Sequence, residues 1–165
     1  MTSISPKEVA KLVRADLKLH FPGVKFKVVC RGNSIDVNWV DGPRRSQVEA
    51  KIGHYHSYYY DINGDMFLPN GKEYGNKYIS IYREISYDFM CKMVKHTAKR
   101  YGVRAPTVVK SDYSDTGYIR FDDPDNTAHE KQMGMPFNHH IEKRSDYYTL
   151  DEHGEPVLDD SEGWV

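Results

Sequence analysis

The sequence predicts an α+β fold, a mostly antiparallel sheet with helices packed on one face. Three observations carry that expectation. Two segments, around Val9 to Leu17 and Met90 to Tyr101, repeat apolar residues at helical spacing. Residues 24–40 alternate apolar and polar side chains across a two-residue turn. Sequence-local start and stop signals bracket most of these runs. The resulting order is α-β-β-α-β-α-β-β over residues 1–123, read as a single domain, with 124–165 as an extended, partly disordered acidic tail.

The first helix opens on Ser5-Pro6-Lys7-Glu8, a capping box with proline at the first helical position. Val9, Leu12, Val13 and Leu17 make its apolar stripe, and Phe21-Pro22-Gly23 ends it. VKFKVVCR (24–31) and SIDVNWV (34–40) then flank Gly32-Asn33, which suits a type II′ turn. With Arg31 opposite Ser34, Phe26 faces Trp39, Val28 faces Val37 and Cys30 faces Ile35, all on one side of the sheet. Lys25, Lys27 and Arg31 lie on the other side with Asp36 and Asn38, and Val29 is the one apolar residue among them. A register slipped by one would bury the charges, so the pattern selects this pairing.

Helix two is expected from near Pro43 to about Ile52, capped by Gly42 or Asp41, with Val48, Ile52 and Tyr55 on its buried face. Arg44 and Arg45 then fall in its first turn, where the helix dipole disfavours cations. Residues 53–77 read as a long aromatic loop with turn signals at Asn63-Gly64 and Asn70-Gly71. Lys77 to Ile85 alternates as a strand, with Ile79, Ile81 and Ile85 inward. Ser86 caps helix three, which ends at Gly102 and buries Met90, Met93, Val94, Thr97 and Tyr101. Its outer face collects Lys92, Lys95, His96, Lys99 and Arg100, followed by Arg104. TVVKSD (107–112) and GYIRFDD (117–123) form a second, weaker hairpin.

The 165 residues carry 23 Lys and Arg against 24 Asp and Glu, and the balance is uneven. Residues 151–165 hold six carboxylates and no cation; taking six from 24 leaves 18 acidic residues against 23 basic ones, a body near +5. A basic body with an acidic tail suits nucleic-acid binding under a tail that competes for the same surface, or simply a solvated tail. No apolar run approaches the roughly 20 residues of a membrane helix. The N-terminus lacks the apolar stretch of a secretory signal, so Cys30 and Cys91 read as reduced thiols and the chain as cytoplasmic.

Candidate chemistry is sparse. His54-x-His56 and the His139-His140-Ile141-Glu142 run suggest metal ligands, but a zinc site needs three or four converging donors with a supporting shell. Neither cluster supplies them by spacing, so no metal and no cofactor is expected. Asp36 reads as a cross-strand partner of Lys27 or Arg31, and Asp112, Asp115, Asp122 and Asp123 as turn acids. No glycine-rich phosphate loop, nucleophile elbow or Cys–His pairing stands out, and the expected function is non-enzymatic.

FPGVKFKVVCRGNSIDVNWVDGPRRSQVE (21–49), followed by GKEYGNKYISIYREIS (71–86), resembles the large polyvalent protein-associated domains, in particular the twenty-ninth type. That pattern has a helix ending in Phe-Pro-Gly, a strand, and an Asp-x-x-Trp-x-Asp-Gly-Pro segment entering a helix. Asp36, Trp39, Asp41, Gly42 and Pro43 occupy those positions, and the likeness covers about residues 5–90. It implies a setting in phages and conjugative elements, in long proteins thought to travel with invading DNA and protect it. It brings no catalytic residues.

Read as a short, separate protein, the chain fits a counter-defence factor that inhibits a host CRISPR or restriction complex by protein binding. The surface expected for that is Asp41, Arg44, Arg45, Tyr58, Tyr59, Tyr60, Lys72 and Tyr74, helped by an acidic tail that imitates a phosphate backbone. The alternative is an accessory module that holds DNA or RNA with Lys25, Lys27, Arg31, Lys92, Lys95, Lys99 and Arg100, its tyrosines stacking on bases. The tyrosine loop suits a homodimer interface equally well.

Overall fold

The structure, a computed structural model, describes residues 4–60, 67–69, 74–76 and 78–120. The protein is α+β, and the chain forms two compact units. The first takes in Met1–Trp39 and Arg45–Arg83, the second Val40–Arg44 and Glu84–Val165. The tail expected over 124–165, with His139, His140 and Glu142, lies outside the described residues.

In the first unit, α1 spans Pro6–His20. Its capping box is present: the Ser5 side chain accepts from the Glu8 amide, and the Glu8 carboxylate accepts from the Ser5 amide at 3.0 Å. Val9, Ala10, Val13 and Leu17 are buried. Leu12, expected in that stripe, is 41 % exposed; the buried arc extends through Ala10, on the opposite flank of the stripe, instead. Strands β1 (Lys27–Arg31) and β2 (Ser34–Val40) pair antiparallel in the expected register, with Arg31 opposite Ser34 and Val28 opposite Val37. Gly32 alone of the two turn residues has a positive φ, 58°, which a type II′ turn requires and a type I′ turn does not. The ladder starts at Lys27 rather than Val24, yet Phe26 and Trp39 still meet, ring centroids 5.4 Å apart.

Helix α2 covers Arg45–Ile52, and a single 3₁₀ turn, Gly53–Tyr55, continues it. Val48, Ile52 and Tyr55 are buried as expected. The aromatic stretch expected as one loop holds a short hairpin, β3 (Tyr58–Tyr60) with β4 (Phe67–Pro69). Three tyrosines in a row have no alternation, so periodicity could not mark that strand. Strand β5 (Tyr78–Glu84) buries Ile79 and Ile81 and completes a three-stranded sheet in the order β1-β2-β5. Among the described residues the strands thus fall into three separate sheets, this one and two hairpins.

The second unit is built on α3, Tyr87–Tyr101, with Ser86 as N-cap and Gly102 as left-handed C-cap at φ 64°. Its amphipathic core face is Phe89, Met93, Val94, Thr97 and Ala98. Tyr101, expected inside, is 37 % exposed, and Met90 is half-buried at the edge. The buried Thr97 hydroxyl is satisfied by donating to the Met93 carbonyl at 2.8 Å. Strands β6 (Thr107–Lys110) and β7 (Gly117–Arg120) form the second expected hairpin, and its Val108–Ile119 pair packs on the α3 cluster. Among the described residues no helix is long and apolar enough to cross a membrane.

Candidate functional site

The strand exit Asp41-Gly42-Pro43 was expected to open helix two from near Pro43; the structure moves that start to Arg45 and gives Asp41 a further partner. Asp41 sits in the left-handed region at φ 52°, which Asp tolerates better than most residues. Its amide donates to the Glu84 carbonyl at 2.8 Å. Its two carboxylate oxygens accept from the Ser86 amide at 2.8 Å and the Ser86 hydroxyl at 2.6 Å. Ser86 in turn accepts from the Phe89 amide at 3.2 Å, so Asp41 buttresses the cap of α3. Helix α2 begins only at Arg45, because its first turn follows the left-handed step and a buried Gly42-Pro43. Arg44 is half-buried ahead of the helix, while Arg45 is exposed in a first turn that contains no acid.

Of the tyrosine set, Tyr58, Tyr59 and Tyr60 form β3, and Lys72 lies outside the described residues. Tyr74 is placed by its neighbours: its ring is 5.4 Å from that of Tyr55, and its carbonyl accepts from the Ser57 hydroxyl at 2.7 Å. Tyr55 is the centre of a polar knot the sequence did not disclose. Its hydroxyl donates to Asp16 on α1 at 2.7 Å, and its carbonyl accepts from the buried Asn76 side chain at 2.9 Å. Burial first, and then the bond to the Asp16 carboxylate, push the Tyr55 phenol well above the usual tyrosine range. His54 Nε2 stands 4.0 Å from the same Asp16 oxygen, and His56 Nδ1 accepts from the Ile79 amide at 3.3 Å. The two histidines therefore serve different partners, and no group of three or more metal-binding side chains occurs among the described residues. Asp16 and Tyr55 are 39 positions apart, and nothing in either local pattern announces the other.

The cationic candidates divide between the two units. On β1, Lys27 and Arg31 are exposed, with Lys25 just before the strand. Arg31 makes the expected cross-strand ion pair with Asp36 at 3.2 Å. On α3, Lys95, Lys99 and Arg100 are exposed and Lys92 is half-buried. Spacings of three and four put Lys92, Lys95 and Lys99 on one helix face, away from the packed stripe. Arg14 and Lys18, a turn apart on α1, escaped the sequence reading because each is unremarkable alone. They matter through Lys25, with which they line one groove of the first unit.

The family described as large polyvalent protein associated domain 29 matches residues 4–101, more than half of the 165-residue chain, from just ahead of α1 to the last residue of α3. The match reaches further than the roughly 5–90 expected, and so includes helix three. No curated protein and no solved structure matches the chain.

Proposed function

The chain belongs to the large polyvalent protein-associated domain 29 family, which places it with phage and mobile-element proteins, and from that premise we propose that it works by binding. The role it fits is counter-defence: occupying a host CRISPR or restriction complex, or the nucleic acid that complex handles. Nucleic acid on the outer face of α3 is the contact the geometry favours. One observation carries this reading: exposed Lys95 stands in the body of the helix, opposite the packed stripe and in line with Lys92 and Lys99. The helix dipole rewards cations only in the last turn, which accounts for Lys99 and Arg100 but not for Lys95. Cations in a row along one face suit successive phosphates.

Gel-shift titrations against salt test this with Lys95→Glu/Lys99→Glu beside the unaltered chain. The variant should bind more weakly by the same factor on every sequence, with a salt slope smaller by about one for each phosphate it no longer neutralises. Absence of any complex at about 50 mM salt, where phosphate binding is strongest, would sink the reading. A second reading, docking on a defence protein through the strand exit, is favoured by exposed Arg45 at the start of α2. It predicts that Arg44→Glu/Arg45→Glu, or removal of residues 151–165, lowers recovery of a host complex in pull-downs; full recovery with both variants removes its basis.

A further inference from the structure

A groove of ≈ 490 Å³ runs along the first unit, between α1 and the segment leading into β1. Its floor is apolar, made by half-buried Val24 and Phe26 with the buried Leu17, Phe21 and Val28. Three cations, Arg14, Lys18 and Lys25, stand around it, all exposed, and no carboxylate is among its lining residues. Arg14 is already oriented, since one of its guanidinium nitrogens donates to the Val28 carbonyl at 2.8 Å while the rest of the fork stays available. Arg14 and Lys18 are a like-charge pair one turn apart, an arrangement that weakens an isolated helix by a few tenths of a kcal/mol.

We propose that this groove is a docking site for an acidic peptide segment of a partner protein, one that carries a bulky apolar side chain to seat on the floor. The occupant follows from the chemistry of the lining. Several separated cations and no acid select a ligand with several separated negative charges, which a single-headed amphiphile lacks. Of the two rings in its lining, Phe21 is only 2 % exposed and Phe26 is half-buried, its centroid 5.9 Å from Phe21 and 5.4 Å from Trp39, so the groove lacks the open aromatic platform that unpaired bases stack on. An apolar floor of this kind rewards a Leu- or Ile-like anchor in the way peptide grooves generally do. The site is distinct from the α3 face and stands whether or not nucleic acid binds there.

Fluorescence polarisation with the full chain tests it, using a labelled peptide of alternating Asp and Leu as the probe. Two control peptides replace every Leu by Ala or every Asp by Asn, and oligo-dT serves as competitor. Lys18→Glu/Lys25→Glu leaves Arg14 and its bond to Val28 in place and should weaken the Asp–Leu peptide by about tenfold or more. Lys95→Glu/Lys99→Glu should leave it unchanged. Val24→Asp, checked for native circular dichroism, should abolish it. The proposal is overturned if the Asp–Leu peptide does not bind, if the Asp–Ala peptide binds equally well, or if the Lys18/Lys25 variant binds as before. It is also overturned if oligo-dT displaces the peptide, making the groove a nucleic-acid site, or if light scattering shows a dimer that this variant dissolves.

Discussion

Helices α1 and α3 are each 15 residues long, and each starts on a serine whose side chain accepts from an amide three residues on. In both, a carboxylate accepts from that serine's amide and from its hydroxyl. The carboxylate of α1 is Glu8, three positions ahead in the same turn. The carboxylate of α3 is Asp41, 45 positions earlier, held at φ 52° by the chain leaving β2. One cap is complete within four residues, and the other is assembled only when a strand exit reaches it. A local cap stabilises its own helix; an imported one also ties the helix to the segment that supplies it.

Asp41→Ala removes the imported carboxylate altogether. It strands the Ser86 amide and hydroxyl and puts a β-carbon without Asp's local bonding at a left-handed position. We expect a loss of about 3 kcal/mol, seen as faster amide exchange throughout α3. Asp41→Asn keeps the tolerance for that backbone and one acceptor, and should cost roughly half as much. Equal exchange in α3 for Asp41→Ala and the unaltered chain would show the imported cap to be dispensable.

Next in size is Tyr55→Phe, which removes the hydroxyl that holds α1 through Asp16 and should cost about 1.5 kcal/mol in urea denaturation. Tyr55 carries a pH signature as well. With its phenol raised above the ordinary range, the stabilisation is complete below the unfolded tyrosine pKa of about 10 and drains away as pH climbs from there towards the folded value. Stability of Tyr55→Phe should therefore fall less steeply at alkaline pH than that of the unaltered chain.

Ser5→Ala should cost about 1 kcal/mol, confined to the first turn of α1. The smallest effect is acid-dependent. The side-chain bond from Ser5, then its backbone bond, lower the Glu8 pKa, so the contribution is present above the unfolded value of 4.5 and fades as pH falls through the folded one. Amide exchange at the start of α1 should quicken over that acidic window, and Glu8→Gln should flatten the change.

The same division runs through the candidate sites. The β1–β2 register was readable because alternation on two strands had to agree at once, and the Arg31–Asp36 pair came with it. The cationic face of α3 was readable because one helix carries it whole. The groove was not, since Lys25 comes from a segment that no periodicity ties to Arg14 and Lys18 on α1. Nor was the Asp16–Tyr55 bond, whose partners lie on two elements that meet only through packing.

Whatever is settled within a few residues or by one period could be read directly: the capping box of α1, the glycine-first hairpin turn, most of each buried stripe and the α+β class. Those follow from short-range sterics and from which side of a helix or strand is apolar. Tertiary structure alone decided that Asp41 serves Ser86, that Tyr55 anchors on Asp16, and that three scattered cations share an apolar floor. Each depends on chain segments brought together by burial of other residues, and hydrophobic burial, being non-directional, leaves no mark in the local pattern of the polar groups it juxtaposes.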